Sequence, residues 1–305
     1  MWMGKCNFAV KICSEMVRSR LQMNKFLNGS RGARAALLLL AIAALAGCRA
    51  ANAKLVLADA RVEPFNFDVS AGQDQFHIEG LLARNADASG RRPVLLVLNP
   101  RGGNARRCIE SAGHLTDLGI HVACISLPGY GASSGPSRFL GPQSVAATRR
   151  ALDLLVARKD VDASRLGLWG LSTGAVVAGL TMDQDPRLRA VILQSGAYDM
   201  TAFWPQAPLL TKLEILHEVW PSKRVLRERS VVDHLPDRLD CNVLILHGEN
   251  DKRIPLDQAK LLEQALRLRG AQVETVYFPK ARDSLGGRVE QPLELFLRDK
   301  LIAAG

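Results

Sequence analysis

One short segment constrains this chain more than any other. Leu166 to Trp169 is an apolar, strand-like run, and Thr173 to Leu180 is a helix-like run. Between them lies only Gly170-Leu171-Ser172-Thr173-Gly174. This is a G-x-S-x-G pattern in the strand–turn–helix context that lifts a serine hydroxyl above the C-terminal edge of a parallel sheet. Both glycines follow from sterics, because a Cβ at either position would strike neighbouring backbone in so tight a turn. Ser172 is therefore the candidate nucleophile. The amide of Thr173, at the start of the helix, is placed to donate to a developing oxyanion.

The rest of the chain repeats the same alternation. Val94 to Leu98 is a continuous apolar run, the mark of a strand covered on both faces. A helix over Asn104 to Leu118, a strand over Val122 to Leu127 and a helix over Gln143 to Arg158 follow. Beyond the elbow come strands at Ala190 to Gln194, Val243 to Leu246 and Val273 to Phe278. Helices are expected at Leu256 to Arg269 and Pro292 to Ala304. Such βα alternation predicts an α/β fold with a mostly parallel, doubly wound sheet and helices on both faces. It begins antiparallel: Arg61 to Ser70 and Gln75 to Ala83 alternate as two strands around a turn at residues 71–74. Residues 200–236, with Phe203, Trp204 and Trp220, break the rhythm and read as a small cap insertion. Those aromatics suit either an apolar pocket wall or the cap's own core.

A net charge of +10 over 305 residues would suggest a nucleic-acid or membrane partner. Its location decides otherwise for nucleic acid. Residues 1–47 carry seven basic side chains and one acid, leaving only +4 on the remainder. No basic run with interleaved aromatics remains, so nucleic acid is not an expected partner. Lys25, Arg31 and Arg34 precede the 12-residue apolar run Ala35 to Ala46, which has the length of a signal-peptide core and is short for a bilayer span. Leu45-Ala46-Gly47-Cys48 resembles the lipobox of bacterial lipoproteins, which are cut before the cysteine and lipidated on it. An ordinary signal peptide and a short uncleaved anchor are the competing readings. The expected organisation is an export segment over residues 1–48 (residues 1–22 being an extension from a misplaced start), a tether over 49–60, and one domain over 61–305. Lipidation at Cys48 would place it in the bacterial cell envelope, membrane-anchored. Cys108, Cys124 and Cys241 are widely spaced with no C-x-x-C, and are expected to be buried free thiols. No metal or nucleotide motif is present, so no cofactor is expected.

Four ordered motifs resemble the α/β-hydrolase superfamily, nearest to its serine aminopeptidases and acyl esterases. Leu127-Pro128-Gly129-Tyr130-Gly131-Ala132-Ser133 is similar to the family's D-x-x-G-x-G-x-S loop, with Ser126 at the aspartate position. Gly170 to Gly174 is the elbow, and Ser195 to Asp199 resembles the loop after the sixth strand. His247-Gly248-Glu249-Asn250-Asp251, with Ile254-Pro255, looks like the family's acid loop. The resemblance implies that Asp251 is the triad acid, with a solvated helix-capping carboxylate as the alternative. It also implies that His247 is a structural histidine at the end of a strand, and that His234 belongs to the linker before it.

The resemblance fails at the base. Family members carry their histidine after the eighth strand, where this chain has Asp283, and no histidine follows His247. Carboxylate is a weaker base than imidazole by ~2.6 pKa units. Beside Asp251 it would meet like-charge repulsion. The family's oxyanion loop is replaced by Asn99-Pro100-Arg101-Gly102-Gly103, where either the Arg101 amide donates or the glycines form a plain turn. Two readings stand. One is a lipid-anchored serine hydrolase acting on an ester, thioester or amide of a small acyl substrate or peptide, with Asp283 or a cap histidine such as His217 as an unusual base. The other is a non-catalytic hydrolase fold kept as a binding or scaffold lipoprotein.

Overall fold

The computed structural model describes residues 61–86 and 90–303, so the export segment, Cys48 and the tether lie outside the described residues. The described residues form ten strands: β1 (Val62–Pro64), β2 (Phe67–Ala71), β3 (Asp74–Ile78), β4 (Gly80–Ala83), β5 (Arg92–Leu98), β6 (His121–Ile125), β7 (Val161–Leu171), β8 (Leu188–Gln194), β9 (Asn242–Gly248) and β10 (Gln272–Phe278). Eight of them form one sheet in the order β1-β4-β6-β5-β7-β8-β9-β10. It is parallel from β6 to β10, and β4 and β1 add an antiparallel edge. This is the α/β-hydrolase fold that the alternation and motifs implied.

The period-2 geometry of the strands divides the core. Val94, Leu96 and Leu98 of β5 face a layer holding α2 (Pro142–Val156), α3 (Thr173–Met182) and α7 (Asp257–Leu268). Leu95 and Val97 face α1 (Ala105–Ala112) and α8 (Glu290–Leu297). Asn104 starts α1 by accepting a hydrogen bond from the amide of Arg107, a side-chain cap. Helix α1 stops earlier than its apolar pattern suggests, and a 3-10 turn (Gly113–Leu118) completes the connection.

Two expectations are corrected. The antiparallel opening is not one long hairpin. Each arm breaks, so β2 and β3 form a separate two-stranded sheet while β1 and β4 join the main one. The amide of Phe65 bonds the carbonyl of Gly80 at the break. A Cβ on Gly80 would press on that Phe65 backbone, which explains the residue type. Second, Cys108 and Cys124 are not free thiols but a disulfide joining α1 to β6, while Cys241 is free and buried. Their Cα atoms are 5.9 Å apart, inside the range that a bridge requires. The 16-residue spacing does not reveal this, because it arises only when α1 folds back onto the sheet.

The cap consists of α4 (Met200–Gln206), α5 (Leu209–Glu218) and α6 (Lys223–Arg227), inserted between β8 and β9. One nearly buried carboxylate ties it down. Glu218 accepts from Nε of Arg101, from the Tyr130 hydroxyl at 3.0 Å and from the Phe139 amide at 3.1 Å. Its neighbour one turn back, Glu214, accepts from Arg253 at 2.8 Å. Phe139 sits in a run of three left-handed residues, Arg138, Phe139 and Leu140. Arg229 holds that run through the carbonyls of Phe139 (2.6 Å) and Arg138 (3.0 Å). Burial raises the Glu218 pKa, but hydrogen bonds from Ser137, Arg101 and Tyr130 outweigh it and hold the carboxyl below its ordinary value.

Two outcomes follow. Replacing Cys108 and Cys124 together by serine removes a loop constraint worth roughly 3 kcal/mol, measurable as a lower urea midpoint in non-reducing buffer. A loss under about 0.5 kcal/mol would mean that the bridge restricts the unfolded chain little. Because the Glu218 pKa is depressed, its contribution is complete above the unfolded value of about 4.3 and is lost as pH falls through the folded one. Glu218→Gln, which removes the charge that Arg101, Tyr130 and the Phe139 amide donate to, is expected to cost about 1–3 kcal/mol. Hydrogen exchange in residues 209–218 should quicken in this variant at pH 7, and in the wild type only in acid.

Candidate active site

The elbow is built as its glycines require. Ser172 lies between β7 and α3 with φ 53° and ψ −114°, a conformation that L-residues avoid. Its amide donates to the Gln194 carbonyl at 2.7 Å, which fixes the turn against the end of β8. A Cβ on Gly170 would come within 2.6 Å of the Ala175 nitrogen. A Cβ on Gly174 would come within 2.6 Å of the Asn99 carbonyl oxygen, so α3 can seat against the end of β5 only with glycine there. Thr173 is the first residue of α3, where an amide has no intrahelical partner.

Ser172, Thr173, Arg101, Asp251 and Asp283 all line one cavity of about 250 Å³ at the C-terminal ends of the parallel strands. Much of its remaining wall is apolar, with Phe139 and Leu140 from the left-handed run, Val176 from α3, and Met200, Phe203 and Ile215 from the cap. Of the three cap aromatics, only Phe203 reaches this wall. Trp204 is half-buried beside Lys212, whose ammonium lies 5.9 Å from the ring centre, and Trp220 is exposed.

Asp251 is buried and held from one side only. Its Oδ1 accepts from the amides of Arg253 (2.8 Å) and Ile254 (2.9 Å), while its Oδ2 is buried without a hydrogen-bond partner. The nearest imidazole is His247, with Nε2 at 3.8 Å from that oxygen. His247 is fully buried, and its Nε2 donates to the Ile254 carbonyl at 2.9 Å. Burial lowers its pKa despite the Ile254 carbonyl and Asp251, so the ring is neutral and fixed behind the acid. It is a strut, not a base. Asp283 lies after β10, in a loop fastened to the acid loop by the Asn250 amide on the Ala281 carbonyl (2.9 Å). Its side chain is exposed to the cavity mouth.

His217, the cap histidine expected as a substitute base, and His234 of the linker are elsewhere. His217 is exposed on the last turn of α5, and His234 bonds the Arg227 carbonyl at 3.1 Å; neither lines the cavity. Ser126 has an answer of its own. Glu79 from the β3–β4 break brings a carboxylate to it, accepting from the Ser126 hydroxyl and from the Ala132 amide at 3.0 Å. The sequence reading missed Glu214 and Arg253, which also line the cavity and pair with each other. A Glu–Glu pair four residues apart on a cap helix, beside an arginine two residues after Asp251, was the available signal.

Ser172, Asp251 and Asp283, the residues expected as nucleophile, acid and base, thus share one cavity, and no histidine among the described residues lines it. Residues 133–295 match the prolyl oligopeptidase family, peptidase S9. The uncharacterized peptidase YuxL of Bacillus subtilis is 27% identical over 228 residues, covering 70% of this chain and 35% of that protein. The chain spans between 35% and 63% of the length of several curated relatives it matches. Among solved structures, the Pyrococcus horikoshii acylaminoacyl peptidase superposes with a TM-score of 0.66 at 16% identity, over 83% of this chain and 44% of that one. A puromycin-hydrolyzing peptidase of Mycobacterium tuberculosis gives 0.67 at 21% identity, over 78% and 39%. At such identities the likeness is one of fold. With the matched residues spanning the elbow, the cap and the acid loop, the chain belongs to the prolyl oligopeptidase family (peptidase S9), a family of α/β-hydrolase-fold serine hydrolases.

Proposed function

We propose that this chain is a serine hydrolase with an incomplete triad, cleaving an ester, thioester or amide through Ser172 at a much reduced rate. The observation that carries the reading is the strained elbow: Ser172 keeps φ 53° and faces the same cavity as Asp251 and Asp283. Strain of that kind costs of order 1–3 kcal/mol and is retained where chemistry uses it. Ser172 would attack the acyl carbon, with the amides of Thr173 and Arg101 receiving the developing oxyanion. Asp283 would take the hydroxyl proton, poorly for a carboxylate. The acylaminoacyl and puromycin-hydrolyzing peptidases that share the fold suggest a small N-blocked peptide or amide as the first substrates to try.

A second reading is favoured by one specific observation. Asp251 Oδ2 is buried with no partner, which is where a triad imidazole would donate. On that reading the fold serves as a binding or scaffold module.

The two separate on a single position. Wild-type protein should hydrolyse simple acyl esters weakly or not at all. Asp283→His should raise turnover by roughly 10²–10⁴-fold, the worth of a positioned base. Ser172→Ala should erase the gain, and a fluorophosphonate should label Ser172 faster in the histidine variant. An ordinary hydrolase rate that survives Asp283→Ala would defeat the incomplete-triad reading. A histidine variant that stays inert and unlabelled would favour the binding module.

We also propose that the chain is exported and tethered to the bacterial envelope by lipid on Cys48. The basic flank, the 12-residue apolar run and Leu45-Ala46-Gly47-Cys48 support it, and so does the Cys108–Cys124 disulfide, which suits an oxidising compartment. Cys48→Ala should lose metabolic acyl labelling and leave the salt-washed membrane fraction. Retention through residues 35–46 would identify an uncleaved anchor instead.

A further inference from the structure

Helix α5 has two faces, and the outward one is unusual. Inward, Thr211, Glu214 and Ile215 line the cavity, and Glu218 is tied to Arg101 and Tyr130. Outward, Leu209, Leu213 and Leu216 recur at three- and four-residue steps, with Leu210 beside them and Trp220 continuing the stripe just past the helix end. Leu210 is 75% exposed and Trp220 78% exposed. Five of the eight large exposed hydrophobic side chains among the described residues fall within these 12 positions, so this is a patch rather than scatter.

The sequence that carries and follows the patch is mainly basic. Lys212 lies on α5, and Lys223, Arg224 and Arg227 stand exposed on or at the end of α6. Of the acids in the same stretch, Glu214 pairs with Arg253 and Glu218 with Arg101, while Glu228 pairs with Arg224 and Arg229 and so offsets part of the charge of α6. Leucines flanked by lysine and arginine, with a tryptophan at the boundary, are what an interfacial helix presents to lipid. The other occupants fit less well. A two-fold dimer through the stripe would bring two copies of one basic cluster together. The apolar run at residues 35–46 belongs to a segment that is itself strongly basic.

We propose that the outward face of α5, with Trp220 and the basic residues of α6, docks peripherally on the surface of an anionic lipid bilayer. Docking stands apart from the chemistry at Ser172 and from any acyl group on Cys48. Because the inward face of α5 is a cavity wall, the docked helix lies between the bilayer and the cavity.

The full-length chain is mixed with vesicles of phosphatidylcholine, with or without phosphatidylglycerol, whose acyl chains carry bromine to quench nearby tryptophan. The difference between wild type and Trp220→Phe isolates Trp220 from the other tryptophans. Trp220 should be quenched with anionic vesicles and much less with neutral ones, and salt should weaken the effect. Leu213→Glu and Leu216→Glu should each lower vesicle partitioning by about tenfold or more, while fluorophosphonate labelling of Ser172 and the unfolding midpoint stay unchanged. Equal quenching in wild type and Trp220→Phe overturns the proposal, as does quenching indifferent to anionic lipid. A lipid-free dimer that Leu213→Glu dissociates gives the face to a second copy. A photo-crosslinker at position 213 that captures residues 35–46 gives it to the N-terminal segment.

Discussion

At Gly174 the first turn of α3 rests on the backbone at the end of β5, near enough that one added methyl group would collide with the Leu98 and Asn99 carbonyls. That approach presses α3 onto the sheet and forces Ser172 into its left-handed conformation. It also sets where everything else at the site can be. With the serine fixed above β7, the loops after β5, β9 and β10 converge on it because parallel strands end together. Arg101, Asp251 and Asp283 come from positions 182 residues apart, yet the sheet order delivers them to one cavity.

The cap is attached by a different force. Its seat on the sheet is partly polar, made by carboxylates of α5 meeting arginines from two separate loops. Such contacts are directional, so they fix the position of α5 more narrowly than apolar contact alone would. The cost is the desolvation of Glu218, offset by donors from Arg101, Tyr130 and Phe139 together. With its acids spent inward, α5 is left to expose its leucines, the reverse of an ordinary surface helix.

Local patterns carried most of the architecture. The continuous apolar runs of β5 and β9 and the glycines of the elbow report on their own neighbourhoods, and those strands and that turn stand where they were expected. The placement of Asp251 in a loop at the cavity and the burial of His247 at the end of β9 follow the same local pattern, because loop geometry after a strand is local too. What escaped depends on distant contact. The Cys108–Cys124 bridge needs α1 packed on β6, and the split hairpin needs Phe65 against Gly80. Glu79 filling in beside Ser126 needs two loops 47 residues apart to meet. Trp220 read as pocket wall or cap core and is neither, because residue type alone does not say which way a side chain faces.

The unpaired Oδ2 of Asp251 has a consequence on another timescale. An aspartate codon becomes a histidine codon through a change in its first base alone. Asp251, the strained Ser172 and the loop that presents position 283 line one cavity. On the incomplete-triad reading, that single change would put an imidazole into the cavity that Ser172 and Asp251 share. The two forms would then be neighbours in sequence space, separated by one exposed side chain on a loop and by no change in the sheet, the elbow or the acid loop.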